Sequence, residues 1–226
     1  MRIAEIFHSV QGEGEYAGTP SVFVRTTGCN LRCWFCDTPY TSLHPEGPQQ
    51  DWRDVLRKVL EWDCPHVVLT GGEPLLQPEI VPLAHALREE QRIVTIETAG
   101  TVFRSVEADL MSVSPKLSNS TPHEAGRWRV RHGRDRDRPE ALRQLISRSP
   151  YQLKFVVDQP IDLDEIVEYL GQFPEVTAER VWLMPQGICQ ADLIEKAKWL
   201  APAAERLGYQ FCPRRHIELF GSVRGT

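Results

Sequence analysis

SVFVRTTGCNLRCWFCDTPY, residues 21–40, joins a short β-branched run to a loop that holds three of the chain's six cysteines. The run at 21–26 has too few polar breaks for a half-exposed strand and suits one buried on both faces. The loop spaces Cys29, Cys33 and Cys36 as C-x3-C-x2-C. A thiol cluster directly after such a strand sits where α/β folds gather their chemistry, at the strand's carboxyl end.

Outward from this stretch the same strand type recurs at residues 66–70, 92–97, 110–114, 152–157 and 181–184. Helical patterns lie between. In DWRDVLRKVLEW, residues 51–62, Trp52, Val55, Leu56, Val59 and Leu60 share one stripe, with Asp51 placed as the cap. Further helices are expected over 79–90, 139–148, 163–170 and 191–207. Strands alternating with helices predict a parallel α/β sheet with right-handed crossovers. Six strands fit either a doubly wound sheet or a partial α/β barrel, and periodicity does not separate the two. In both, TGGEP (70–74), ETAG (97–100) and SPK (114–116) close three strands and converge with the thiol loop on one face.

The 226 residues suit a single domain, with 41% hydrophobic and 25% charged residues, an ordinary globular composition. A net charge of −5 excludes a global basic field that would recruit nucleic acid. No run approaches the roughly 18 to 20 apolar residues of a membrane span. The opening MRIAEIFHSVQGEGE is too polar for a signal-peptide core, so a cytoplasmic protein is expected. Structural disulfides are disfavoured there, and clustered cysteines read as ligands or catalysts.

Four readings compete for the three thiols. A structural zinc site would need a distant ligand such as His44, Cys64 or His216, and no second C-x2–4-C knuckle is present. Redox exchange through CWFC leaves Cys29 unexplained. Simple burial suits poorly a loop this short and polar. An iron–sulfur cluster uses all three and leaves one iron open to a substrate's amine and carboxylate. Trp34, beside Cys33, reads as a shield for such a cluster.

Other features read plainly by themselves. Gln11-Gly12-Glu13-Gly14 is a flexible turn, Arg25 a surface arginine on an edge strand, and Glu13 a solvated acid. His8, His66, His85 and His216 are packing or surface residues, and Cys64, Cys189 and Cys212 isolated buried thiols. Residues 126–138, GRWRVRHGRDRDR, carry six arginines against Asp135 and Asp137. They read as a solvated, mobile insertion, spanning about 118–138, or as a lid or docking segment for an anionic ligand or partner.

With Phe35 just before the last cysteine, the thiol loop resembles the signature of radical S-adenosylmethionine enzymes, and TGGEP, ETAG and SPK resemble that superfamily's cofactor contacts. The resemblance implies a partial, TIM-like barrel with few helices, one 4Fe–4S cluster held by Cys29, Cys33 and Cys36, and reductive cleavage of S-adenosylmethionine to a 5′-deoxyadenosyl radical. Contacts to S-adenosylmethionine are implied for Phe35, Asp37, Gly72, Glu73, Glu97, Ser114, Pro115, Lys116 and Gln186. The last lies in MPQG, displaced from the family's Q-P-x-x pattern.

Residues 5–38, together with the tail LFGSVRGT, further resemble the 7-carboxy-7-deazaguanine synthase family. That resemblance implies a lyase of queuosine and deazapurine biosynthesis, contracting 6-carboxy-5,6,7,8-tetrahydropterin with loss of ammonia. Substrate contacts are implied at Val10, Gln11, Gly12, Arg25, Thr70 and Thr226, with Arg25 on the carboxylate, the terminal carboxylate at Thr226 a site group, and the C-terminal segment closing the site. It also implies Mg2+ at Thr38, an electron donor such as flavodoxin or ferredoxin, and a homodimer, with no direct nucleic-acid or membrane contact. Two rivals remain: a radical activating enzyme for a glycyl-radical partner, and a non-catalytic zinc scaffold.

Overall fold

The thiol loop hangs from the second of eight strands in the structure, a computed structural model describing all residues from Met1 to Thr226. The strands are β1 (Ile3–Val10), β2 (Pro20–Thr26), β3 (His66–Gly71), β4 (Ile93–Thr98), β5 (Leu110–Val113), β6 (Tyr151–Val157), β7 (Val181–Pro185) and β8 (Gln210–Phe211). They lie in one sheet in chain order, β1 antiparallel to β2 and every later neighbour parallel. A doubly wound sheet would reverse its order at a switch point. Strict sequential order is barrel winding, and with no β8–β1 pairing the barrel is incomplete.

The helices are α1 (Pro39–Ser42), α2 (Trp52–Val59), α3 (Ile80–Glu89), α4 (Arg127–Asp135), α5 (Pro139–Ile146), α6 (Asp162–Leu170), α7 (Gln190–Leu207) and α8 (Arg215–Phe220). Asp51 caps α2 as expected, its carboxylate accepting from the Arg53 amide at 2.8 Å. Alternate strand residues, among them Val24, Leu69, Ile96, Val113, Leu153 and Phe155, pack with Val59, Leu87, Leu142, Ile166 and Leu200 of the helices. Many of the intervening residues are polar: Thr70, Thr95, Ser112, Gln152 and Lys154 are buried on the other face, beside apolar Phe23, Val68 and Leu110. Period-2 alternation thus separates an apolar outer core from a barrel interior that carries most of the buried polar side chains, and the interior is where a site can form.

The structure departs from several expectations. β1 passes unnoticed in a search for continuous apolar runs because it is half-exposed, and β8 because it is two residues long. With β1 outside it, Arg25 on β2 is not on an edge strand. The Gln11–Gly14 turn is not loose. Gly14 donates to Cys212 Sγ at 3.1 Å, and the Glu15 amide donates to Gln152 Oε1 at 2.8 Å, so the loop bridges the two sides of the open barrel. Gly14 has φ +72°, and a Cβ there would fall 2.2 Å from Gln152 Nε2, so only glycine fits. Cys64 and Cys212 are buried, but Cys189 is exposed.

The arginine-rich segment is also more ordered than a solvated insertion. It forms α4, whose inner face carries His132 and Asp135, three residues apart and both buried. His132 Nδ1 accepts from the Arg32 amide at 3.1 Å, and its Nε2 lies 2.9 Å from Ser120 Oγ. Burial, reinforced by the charges of Arg136 and Lys116, pulls its pKa down to about 4, so the imidazole is neutral. Asp135 accepts from Arg131, Arg134 and Arg138.

Candidate active site

A cavity of about 500 Å3 opens where β3, β4, β5 and β7 end. Its wall includes Cys29, Cys33 and Cys36, and also Val10, Gln11, Gly12, Arg25, Phe35, Asp37, Thr38, Thr70, Gly72, Glu97, Ser114, Lys116, Gln186 and Thr226. Residues expected on sequence grounds at the cluster, the cofactor and the substrate therefore share one chamber. Glu73 and Pro115 do not reach its wall. Glu73 is fully buried behind it and accepts from Thr98 Oγ1, the Ala99 amide and the Leu75 amide. Its carboxylate clasps the loops after β3 and β4 together. Burial pushes its pKa up, opposed by those donors.

The glycines of TGGEP serve loop packing as much as ligand approach. Gly72 donates to Thr26 O at 3.1 Å, and the Glu73 amide donates to Gly28 O at 2.9 Å. A Cβ on Gly72 would lie 2.3 Å from Gly28 O, a backbone atom that cannot move aside. The loop after β3 is thereby seated against the start of the thiol loop, while Gly28 donates to Thr41 O at 2.7 Å from the other side.

The thiols suit an iron–sulfur cluster. All are free, and burial first of all pushes Cys29 up to about 12 and Cys33 up to about 11. Neither ionises near neutrality without a cationic centre against it. The Leu31 amide donates to Cys29 Sγ at 3.4 Å, and Ser42 Oγ lies 3.2 Å from Cys36 Sγ, arrangements that suit thiolates. No three His, Cys, Asp or Glu side chains converge as a single ion requires. In a cubane each cysteine binds its own iron, so its ligands stand further apart. The distant zinc ligands fail on position. Cys64 bonds to Pro20 O at the amino end of β2, opposite the thiol loop, and His44 is exposed. His216 lines the cavity, but its ring fills the space beside Gly12.

Joined to the thiol loop through Asp37 lies an ion network centred on Lys154 and Arg214, which no motif singled out. Lys154 Nζ donates to Glu13 Oε2 at 2.9 Å and to Glu97 Oε1 at 3.4 Å. Arg214 donates to Glu13 Oε1 at 3.1 Å, to Gly187 O at 2.7 Å and to Asp37 Oδ2. Burial alone would raise the Glu13 carboxyl, but Lys154 and Arg214, with His216, hold it well below the usual range. Burial opposes the charge on Lys154, and Glu13 and Glu97 more than restore it. Glu13 is thus neither loose nor solvated. Lys154 had a signal: a lysine inside QLKFVV, a run read as buried, demands a buried counter-charge. Arg214, in CPRRH, had none.

Glu97 ties this network to the substrate candidates, accepting from Gln11 Nε2 at 3.2 Å and from Thr70 Oγ1 at 2.9 Å. Arg25 donates from Nε to Glu5 Oε1 at 2.7 Å, where Tyr40 Oη also donates at 2.7 Å. That leaves the two terminal amino groups of Arg25 without a protein acceptor, on the cavity wall. Residues 221–226 complete the wall. Arg224 holds them in place, donating to Glu46 at 2.9 Å and to Glu5 at 3.3 Å, with its guanidinium 4.1 Å above the Tyr40 ring.

Comparison with known proteins agrees with this geometry. Residues 23–150 match the family model of the radical SAM superfamily. The chain is 50% identical to the 7-carboxy-7-deazaguanine synthase of Rhodopirellula baltica, over 100% of its own length and 89% of the relative's. It is 42% identical to that of Halobacterium salinarum, over 100% and 93%. The crystal structure of QueE from Escherichia coli superposes with a TM-score of 0.65 at 24% identity, covering 94% of this chain and 92% of that one, which shows the shared partial-barrel fold. Full-length identity at these levels, on a chain whose three thiols and motif residues meet in one cavity, means that it belongs to the 7-carboxy-7-deazaguanine synthase family of the radical SAM superfamily.

Proposed function

We propose that the cavity binds 6-carboxy-5,6,7,8-tetrahydropterin beside a 4Fe–4S cluster and S-adenosylmethionine and contracts it to 7-carboxy-7-deazaguanine with loss of ammonia, for queuosine or deazapurine biosynthesis. The observation that carries this reading is Arg25, whose two terminal amino groups have no protein acceptor on a wall shared with the cysteine thiols. A planar pair of donors suits a substrate carboxylate. When bound, the cluster and S-adenosylmethionine supply the radical that removes a substrate hydrogen.

The chain's own residues position the reactants and exclude water. Cys29, Cys33 and Cys36 hold the cluster. Gly72, Ser114, Lys116, Phe35, Asp37 and Gln186 line the space for S-adenosylmethionine. Gln11, with a donor and an acceptor on one amide, reads a pterin edge with Val10, Gly12 and Thr70. Glu97 is bonded to Gln11 and Thr70, so it orients the substrate side as well as the cofactor side. Thr38 Oγ1, on the cavity wall, would offer an oxygen to a Mg2+ ion that polarises the substrate. Residues 221–226, with Thr226 at the wall, close the site.

The electron comes from a reduced flavodoxin or ferredoxin, and the working form is a cytoplasmic homodimer. Exposed Leu219 and Phe220 offer apolar surface for a second copy. The test is anaerobic incubation with S-adenosylmethionine, dithionite, Mg2+ and the carboxytetrahydropterin. Mass analysis should find the ring-contracted acid and 5′-deoxyadenosine. A brown, iron-loaded protein that cleaves S-adenosylmethionine and leaves the pterin unchanged would sink the reading.

A further inference from the structure

Helix α4 turns its anchored face inward and its arginines outward. His132 and Asp135 are buried, while Arg127, Arg129 and Arg131 are exposed. Trp128 lies among cations: the Arg32 guanidinium is 4.1 Å from its ring centre, that of Arg131 5.2 Å and that of Arg127 5.6 Å. Arg127, Trp128 and Arg131 line a surface concavity of about 290 Å3.

These charges are poorly neutralised. Arg32 donates only to the carbonyls of Cys29 and Leu31, and Arg129 only to those of Pro122 and His123. Arg127 has no hydrogen-bond or ion-pair partner, and Arg131 shares Asp135 with Arg134 and Arg138. Such a patch on a chain of net charge −5 is a local exception that attracts an acidic surface.

Its position relates it to the thiols. Arg32 stands between Cys29 and Cys33, and its amide is held by His132 of α4 itself. Trp34 follows Cys33. It is 38% exposed, with its ring 4.8 Å from that of His123, whose carbonyl accepts from Arg129. The patch therefore covers the outer side of the loop whose inner side lines the cavity.

We propose that Arg32, Arg127, Arg129 and Arg131, around Trp128, form the docking surface for an acidic, low-potential one-electron carrier protein, with Trp34 leading from that surface to Cys33. This rests on the reading that the three thiols hold a redox cluster. The carrier's reduced cofactor gives up one electron and leaves oxidised by one. A cluster held by Cys29, Cys33 and Cys36 would take up that electron, with no bond formed or broken. Docking against the cluster loop keeps the transfer distance short, and charge complementarity sets the encounter rate.

The test compares the iron-loaded enzyme with its R127E/R129E variant, which changes two exposed residues outside the cavity. The probes are a reduced acidic flavodoxin and a reduced acidic ferredoxin. For at least one carrier, the variant should bind about tenfold more weakly and accept electrons about tenfold more slowly, the difference shrinking as salt rises. Reduction by dithionite, followed by loss of the cluster's visible absorbance, should stay within about twofold of the unmodified chain, which shows that cluster and fold are intact. Unchanged binding and reduction with both carriers would overturn the proposal. So would a short RNA that outcompetes both carriers for the patch. Failure of the unmodified enzyme to turn over the pterin with dithionite would instead refute the proposed reaction, since carrier binding and cluster reduction are measured without substrate.

Discussion

Lys154 and Glu13 form a buried ion pair, 2.9 Å from Nζ to Oε2, inside the barrel of a chain that contains no other buried lysine. Together they connect the loop after β1 to β6. Lys154→Met should destabilise the fold by about 3 kcal/mol, the low end for a broken buried pair, because Arg214 still faces Glu13. The double variant E13Q/K154M should recover at least half of that loss in chemical denaturation. Additive losses would show that the pair is not coupled.

The same pair sets a pH window. The Glu13 carboxyl is held below its ordinary 4.5, so its stabilisation is complete above that pH and is lost as pH falls further. The Lys154 ammonium is held above its ordinary 10.5, so its stabilisation is complete below that pH and is lost as pH rises through the raised value. The stability difference between the unmodified chain and Lys154→Met should be flat between those limits and narrow outside them. A slope near neutrality would place the coupling elsewhere.

Gly72→Ala puts a methyl group 2.3 Å from Gly28 O, so the loop after β3 must lift away from the thiol loop. Overpacking of this kind costs about 1–3 kcal/mol. Iron bound per chain after anaerobic reconstitution should fall more sharply than the melting temperature, because the displaced segment leads directly into Cys29. Full iron loading would mean that the two loops are not interdependent.

His132 is neutral when folded, with a pKa near 4 against an ordinary 6.5. Between those values the unfolded chain binds more protons, so stability climbs with pH across the window and is complete above it. His132→Asn should flatten that part of the melting-temperature profile. It should also raise the exposure of α4 to limited proteolysis, because the link to the Arg32 amide is lost. An unchanged profile would mean that another group titrates there.

Arg224 secures residues 221–226 through half-exposed ion pairs, each a weak latch. Arg224→Ala should raise KM for the pterin roughly twofold to fivefold and leave kcat nearly unchanged, with the loss reproduced in the unmodified chain by high salt. A fall in kcat with constant KM would assign the tail to the chemical step.

The alternation of strand and helix, the thiol spacing and the glycine-rich strand ends were legible from local pattern alone, because each is a short-range property of the chain. The residues of the cavity wall that lie in motifs, among them Arg25, Thr38, Thr70 and Lys116, were legible through the family resemblance of those motifs. The choice of a partial barrel over a doubly wound sheet was legible only through the family resemblance, since it depends on strand order, which periodicity does not encode. The clasp that Glu73 makes with Thr98 and Ala99 was not legible, because it depends on two loops meeting in space. Glu13, Lys154 and Arg214 lie up to 201 residues apart and meet because the barrel interior leaves each charge no solvent to face. In the same way, an arginine run that composition reads as solvated becomes a helix anchored beside Cys33, because His132 finds in Arg32 and Ser120 the two partners that let a neutral imidazole be buried.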